Sequence, residues 1–257
     1  RLLRFRLRTI LLLILLASAW MAWHLDRSKK QVRAVEGVTS TGGSVIYDFK
    51  FDGDPVFTNY RENAESPYPK FILDAVGYDF LHSVVSIRLN PNQDSNDNNK
   101  QSTDWAEHLE GVKNLRHVYM RGNQVDDEVL KRLGKLKHLR SVNVWFGTSV
   151  TDKGIQDLAK SRKIKSVRFQ HGGLTDESLK HLSTLPEIEC IDLQGNCLSD
   201  KGLNYLHDKT NLSELWVGLG NNNITNRGLK KLFRLKNIKV LGIQNIDATQ
   251  NEVNLLK

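Results

Sequence analysis

Apolar residues in the second half of the chain fall into a frame that returns about every 24 positions. Leu115, Val118 and Met120, followed by Asn123, set the spacing L-x-x-L-x-L-x-x-N. The frame recurs at Leu139, Val142, Val144 and at Ile164, Val167, Phe169, then with its asparagine at Ile188, Ile191, Leu193, Asn196. Leu212, Leu215, Val217 and Ile238, Leu241, Ile243 follow, so the starts lie 24, 25, 24, 24 and 26 residues apart. An earlier copy reads Val84, Ile87, Leu89, Asn92. The alternating stretch within each copy predicts a short strand with one buried face, because successive strand side chains point to opposite sides.

The remainder of each unit is as regular. Val150-Thr151-Asp152-Lys153-Gly154-Ile155 aligns with Leu174-Thr175-Asp176-Glu177-Ser178-Leu179, and with the stretches starting at Val125, Leu198 and Ile224. Apolar residues three apart, as in Leu179, Leu182 and Leu185, then mark a helical face. The Thr/Ser/Asp cluster predicts a helix N-cap, its side-chain oxygens accepting from unpaired N–H groups. Lys and Arg near the helix end suit the macrodipole. The ninth-position Asn can bond the backbone of the turn off the strand. One such unit cannot bury its apolar face alone; stacked units share a continuous core.

These residues resemble leucine-rich repeats of the ribonuclease-inhibitor-like or cysteine-containing subclass. The whole chain resembles predicted bacterial single-pass membrane proteins bearing such repeats. The resemblance covers roughly Ser83–Lys257 and the N-terminal apolar segment. It implies an α/β solenoid, with a curved parallel sheet on the concave side and helices on the convex side. The ninth position departs from the pattern at Gly147, Gly172 and Gly220.

The N-terminal pattern is different. Arg1, Arg4, Arg6 and Arg8 precede an apolar run from Thr9 to Leu25, and Asp26, Arg27, Lys29 and Lys30 follow it. As a helix the run is about 26 Å long at 1.5 Å per residue, close to the roughly 30 Å of a hydrocarbon core. Trp20 and Trp23 suit an interfacial belt. A signal anchor and a peptide cleaved after Ala17-Ser18-Ala19 both fit; the apolar residues continuing past Ala19 favour the anchor. Four arginines and no acid precede the run, which places that side in the cytoplasm and the repeats outside. The expected organisation is a basic tail (1–8), a transmembrane anchor (9–25), a juxtamembrane helix and cap (26–82), and repeats (83–257), at a cell membrane crossed once. Within the cap, 26–37 reads as a charged helix, Ser44–Phe51 as a strand, Asp52–Pro55 as a turn and Phe71–Val76 as a short helix. Residues 38–82 are expected to cover the open end of the solenoid.

Charge qualifies this picture. The net charge is +8, and residues 1–33 supply +7 of it. Most of the excess therefore flanks the apolar run, which disfavours nucleic acid as partner. Residues 34–110 net −8 and residues 111–257 net +9. In that basic half Lys131, Arg132, Lys135, Lys137 and Arg140 recur one unit on as Lys160, Arg162, Lys163 and Lys165, and again between Lys230 and Lys239. Such a rim would take an anionic glycan, lipid or nucleic acid, although helix-end dipole pairing and solubility explain it better. Asp94, Asn96 and Asn98 alternate as in a calcium loop, but Asn99 stands where the turn needs Gly and Trp105 where the ligand should be Glu. A solvated loop is the better reading.

Candidate function lies on the concave strand face. Its third, fifth and seventh positions include Arg88, His117, Tyr119, Arg121, Asn143, Trp145, Arg168, Gln170, Asp192 and Trp216. Tyr, Trp and Arg dominate interface hot spots, so these ten are expected to bind a protein, with Trp145 and Trp216 as anchors. Phe146 and His171 fall at the strand ends. No nucleophile elbow, Gly-rich phosphate loop or metal motif is present, so neither an enzyme, a small-molecule substrate, a cofactor nor a metal is expected. Cys190 and Cys197 read as inert thiols. A ubiquitin-ligase adaptor is a further alternative, lacking a docking helix pair ahead of the repeats.

Overall fold

The computed structural model describes residues 7–51, 61, 63–89, 104–122, 125–146, 149–218 and 223–244. The Asp52–Pro55 turn, the candidate calcium positions, Asn123, Gly147, Gly220 and the chain after residue 244 lie outside the described residues.

The apolar rows become strands, as the alternation predicts. Strand β1 (Ser44–Tyr47) is followed by β2 (Val84–Leu89), β3 (His117–Arg121), β4 (Ser141–Trp145), β5 (Ser166–Gln170), β6 (Cys190–Asp192), β7 (Glu214–Trp216) and β8 (Val240–Gly242). They form one sheet in chain order. The seven repeat strands are parallel and keep one register, with Ile87, Val118, Val142, Val167, Ile191 and Leu215 side by side. All six are buried, and with the helical leucines they make one continuous core.

Helices α4 (Asp127–Leu133), α5 (Asp152–Leu158), α6 (Asp176–Leu182) and α7 (Asn226–Leu229) return the chain between strands. Other units use a 3-10 turn, at Asp104–Gly111 and Gly202–Leu206. Thr151, Thr175 and Thr225 are N-caps, each hydroxyl accepting from the backbone N–H two residues on. The Asp at the same repeat position of four units, Asp127, Asp152, Asp176 and Asp200, does something the single-unit pattern cannot show. It reaches the next repeat. Asp127 accepts from the Thr151 N–H (2.9 Å) and hydroxyl (2.6 Å). Asp152 does the same with Thr175, Asp176 with Ser199 and Asp200 with Thr225.

This ladder explains the small residue three places after each Thr or Ser. A methyl added at Gly154, Gly202 or Gly228 would lie 2.2, 2.3 or 2.1 Å from the Oδ1 of Asp127, Asp176 or Asp200. Ser178 fills the same place in its unit and donates its hydroxyl to Asp152. The unit that carries α4 departs from this pattern. There Asp126 caps α4 itself, and Val129 occupies the small-residue position.

At the N-terminus one helix, α1 (Leu7–Ser40), contains both the apolar run and the charged stretch after it. Its apolar part is exposed among the described residues, and by length and composition it is able to cross a membrane. Its second half packs on the sheet end. Gln31, Ala34 and Val38 are buried, and the Gln31 amide donates to the Asp79 carboxylate (2.9 Å) and the His82 carbonyl (2.8 Å) while accepting from the Val84 N–H. A methyl at Gly111 would lie 2.1 Å from the Lys30 carbonyl oxygen, so α1 meets the 104–111 turn backbone to backbone. The open end is therefore closed by α1 and the antiparallel β1, with α2 (Lys70–Val76) and α3 (Tyr78–Leu81) beside them. Residues 38–82, expected to cover this end, share the task with Gln31 and Ala34 of α1, and the predicted strand ends at Tyr47 in a 3-10 turn, Asp48–Lys50.

Candidate binding face

The face of the sheet away from the helices carries three rows of side chains. Ser86, His117, Ser141, Ser166, Cys190 and Glu214 form the first. Arg88, Tyr119, Asn143, Arg168, Asp192 and Trp216 form the second. Arg121, Trp145 and Gln170 form the third, on the longer strands. The register thus brings all ten expected residues to one face.

Accessibility separates them. The first row is buried from Ser86 to Cys190, and the ring of Phe51 stacks on His117 with centroids 4.8 Å apart. His117 is thus packed over by the N-terminal cap and is not displayed. Asn143 and Asp192 are buried as well. Trp216 lies against Gly242, where a methyl would come within 2.0 Å of its ring, and its indole nitrogen is buried. It fills space more than it offers an anchor. Arg121 and Trp145 are exposed, and Arg88, Tyr119, Arg168 and Gln170 are half-buried.

The two ends of the face differ in charge. Toward β7, the Arg168 guanidinium lies 3.7 Å from the Asp192 carboxylate and 3.2 Å from Glu214. Gln170 donates to Asp192 at 2.7 Å. Burial pushes the Asp192 carboxyl above its usual range, against the pull of Gln170, the Gln194 N–H and Arg168. Burial likewise pushes the Cys190 thiol up to about 12, so it is a poor nucleophile at neutral pH. This end is a neutralised network. Toward β2, Arg88 lies over the Tyr119 ring at 5.5 Å and Arg121 over the Phe146 ring at 5.8 Å, within cation–π reach. Gly42, Ser44, Arg88, Tyr119, Arg121 and Trp145 border a hollow of about 480 Å³ there.

At the strand ends, the residue after the third row turns with a left-handed backbone. In successive units it is Gly122 (φ 78°), Phe146 (φ 61°), His171 (φ 58°) and Gly195 (φ 73°). Glycine adopts this conformation freely, whereas other residues pay about 1 kcal/mol or more. Phe146 and His171 are strained here, and their rings stack at 5.2 Å and 8°. Trp145 and Phe146, 47% and 45% exposed, make an aromatic corner beside Arg121. The ten-residue selection omitted Phe146 and His171. The available signal was that they replace glycine at a position where the flanking units keep it. Among the described residues no three His, Cys, Asp or Glu are grouped to hold a metal ion.

A family model described as leucine-rich repeat matches residues 186–206, which span the turn before β6, β6 itself and the 3-10 return after it. No curated protein matches the chain. Among solved structures the chain is similar to internalin C2 of Listeria monocytogenes, with 20% identity and a TM-score of 0.45 over 58% of this chain and 61% of that one. Another is the internalin inlF of Listeria monocytogenes, at 18% identity and TM-score 0.40 over 58% and 54%. A third is the leiomodin-1 actin-binding site 2, at 16% and 0.42 over 51% and 84%. The chain spans less than two thirds of either internalin. Residues 186–206 thus match a leucine-rich repeat, and the same unit recurs in strand register, return and Asp–Thr ladder along the sheet, giving the fold of a leucine-rich-repeat solenoid.

Proposed function

We propose that this is a membrane-anchored interaction protein, without catalytic activity, that holds a protein partner on the open face of its sheet. The aromatic corner at Trp145, Phe146 and His171 carries the reading. Two exposed large rings, one on a strained backbone, stand on a face whose other end has neutralised its charges internally. Strained non-glycine residues persist where a site requires the side chain, and Trp, Tyr and Arg are the usual interface anchors. Arg88, Tyr119 and Arg121 extend the corner across the hollow, giving it a preference for acidic or aromatic groups on the partner. Helix α1 supplies the anchor, with the repeats on the non-cytoplasmic side, as the arginines before Thr9 imply.

The test is capture from native membranes by the tagged full chain, beside a Trp145→Ala/Phe146→Gly variant and a Trp216→Phe control, at low and high salt. A protein held by wild type and control at both salts, and lost by the variant, supports the reading. Equal capture by the variant removes the aromatic corner from the function. Capture abolished by salt alone, with the variant unaffected, moves the function to the basic edge, because exposed charges are screened and apolar contacts are not.

A further inference from the structure

A cavity of about 500 Å³ lies where α1 meets the first repeats. Trp23 and Arg27 of α1 form one wall, one helical turn apart. Lys113 before β3, Arg132 in the last turn of α4, and Lys135 and Lys137 just after it form the other. Apolar Ala106, Leu109 and Leu136 line it as well, and Glu110 is the one acid among the lining residues. Arg27 is held by the Ser83 hydroxyl at 3.0 Å and stacks toward Trp23 at 5.8 Å.

The helix fixes the height of this cavity. Trp23 belongs to the apolar run, and Arg27 lies two residues past its end at Leu25. At 1.5 Å per residue the cavity opens within about 6 Å of that end. No break in α1 separates the run from the wall. A headgroup layer is about 5–8 Å deep on each side of the hydrocarbon, so a membrane-spanning run sets the cavity in that layer.

The other basic clusters are occupied in part, with Arg162, Lys163 and Lys236 also in no ion pair among the described residues. Lys160 pairs with Asp157, Lys165 with Glu189 at 2.9 Å, and Lys231 donates to the Asp200 carbonyl at 2.9 Å. At the cavity Arg132 shares Glu128 with Lys131, whereas Lys113, Lys135 and Lys137 have no ion pair among the described residues. Cations above an apolar floor match a molecule that is anionic at one end and apolar at the other.

We propose that the cavity binds the phosphate-bearing headgroup of an anionic phospholipid and so clamps the repeat domain to the bilayer surface. The proposal rests on the reading of α1 as membrane-spanning. The tryptophan belongs at the glycerol level and the lysines around the phosphate. Each basic residue near such a surface is worth about a fivefold change in affinity.

The full chain is reconstituted into vesicles of phosphatidylcholine, with or without phosphatidylglycerol, and labelled with a membrane-impermeant amine reagent. Modification is read at each lysine by mass spectrometry. Phosphatidylglycerol is expected to slow labelling of Lys113, Lys135 and Lys137 several-fold and to leave Lys180, on α6, unchanged. A Lys135→Gln/Lys137→Gln variant should weaken the hold about 25-fold, returning Lys113 to its phosphatidylcholine rate. Equal labelling in both vesicles, in a chain that resists alkaline carbonate extraction, overturns the lipid site and spares the anchor. A chain that carbonate extracts overturns the anchor and the lipid site together. Protection by soluble glycerol phosphate in phosphatidylcholine vesicles, matching that by phosphatidylglycerol, assigns the cavity to a free anion and overturns the lipid as its occupant.

Discussion

The two sides of each repeat obey different rules. On the helix side the polar groups recur with the repeat. Asp127, Asp152, Asp176 and Asp200 each hold the Thr or Ser of the following unit, and a Gly or Ser makes room each time. On the open face the middle row does not recur. The same register position is Arg, Tyr, Asn, Arg, Asp and Trp in turn. Stacked units need the same joint at every step. A partner has no such period, so a surface shaped for one loses it. Recurrence marks what holds the solenoid together, and its failure on the open face is what the proposed partner-binding role requires.

The comparison breaks if the two sides respond alike to mutation. The largest effect is expected at the joint. Gly202→Val places methyls on the Asp176 carboxylate, strains the packing and breaks its bonds to Ser199, lowering stability by about 2–5 kcal/mol in urea denaturation. A loss below about 0.5 kcal/mol, the ordinary surface value, would mean that the ladder is decoration.

Asp152 comes next. Burial raises its carboxyl, and the bonds from Ser178 and Thr175 more than reverse this, leaving it below its usual value. Its contribution is therefore present above the unfolded value of about 3.9 and lost as pH falls through the lower folded value. Asp152→Asn should cost about 1–3 kcal/mol at neutral pH and flatten that acid limb. An acid limb of unchanged steepness would count against it.

Smaller effects belong to the open face. Phe146→Gly and Phe146→Ala both remove the ring, but only glycine relieves the backbone. The glycine variant should be the more stable by about 1 kcal/mol, and equal melting midpoints would deny the strain. Asp192→Asn should change stability at neutral pH by less than about 1 kcal/mol, since Glu214 still faces Arg168. Its pH dependence runs the other way. A raised folded value means that Asp192 costs stability as pH rises through about 3.9 and upward, so the variant gains on wild type over that window. A fall there would show that the pair with Arg168 outweighs burial.

Much of this was legible in the sequence. Strand positions, their shared register and the threonine caps follow from the spacing alone, because each is a property of one unit read repeatedly. The aspartates were read as caps of their own helices, since their partners lie 23–26 residues away and only stacking brings them close. Ser86, Ser141 and Ser166 share the open face, yet a serine hydroxyl stands too low between neighbouring strands to be displayed. His117 is hidden by Phe51, from a segment with no repeat to align it. The flat contact of Trp216 with Gly242 is likewise invisible to alternation, which gives the side of a residue and not what covers it.

Helix α1 runs unbroken from Leu7 to Ser40, with its far end locked by Gln31 to the first repeat strand. It is a rigid shaft with the sheet bolted to it. One extra residue between Leu25 and Gln31 would turn everything beyond it by about 100° and raise it by about 1.5 Å, aiming the aromatic corner in another direction without altering an atom of it. The direction in which the open face points is thus set by counting residues along a shaft, far from the residues of the face itself.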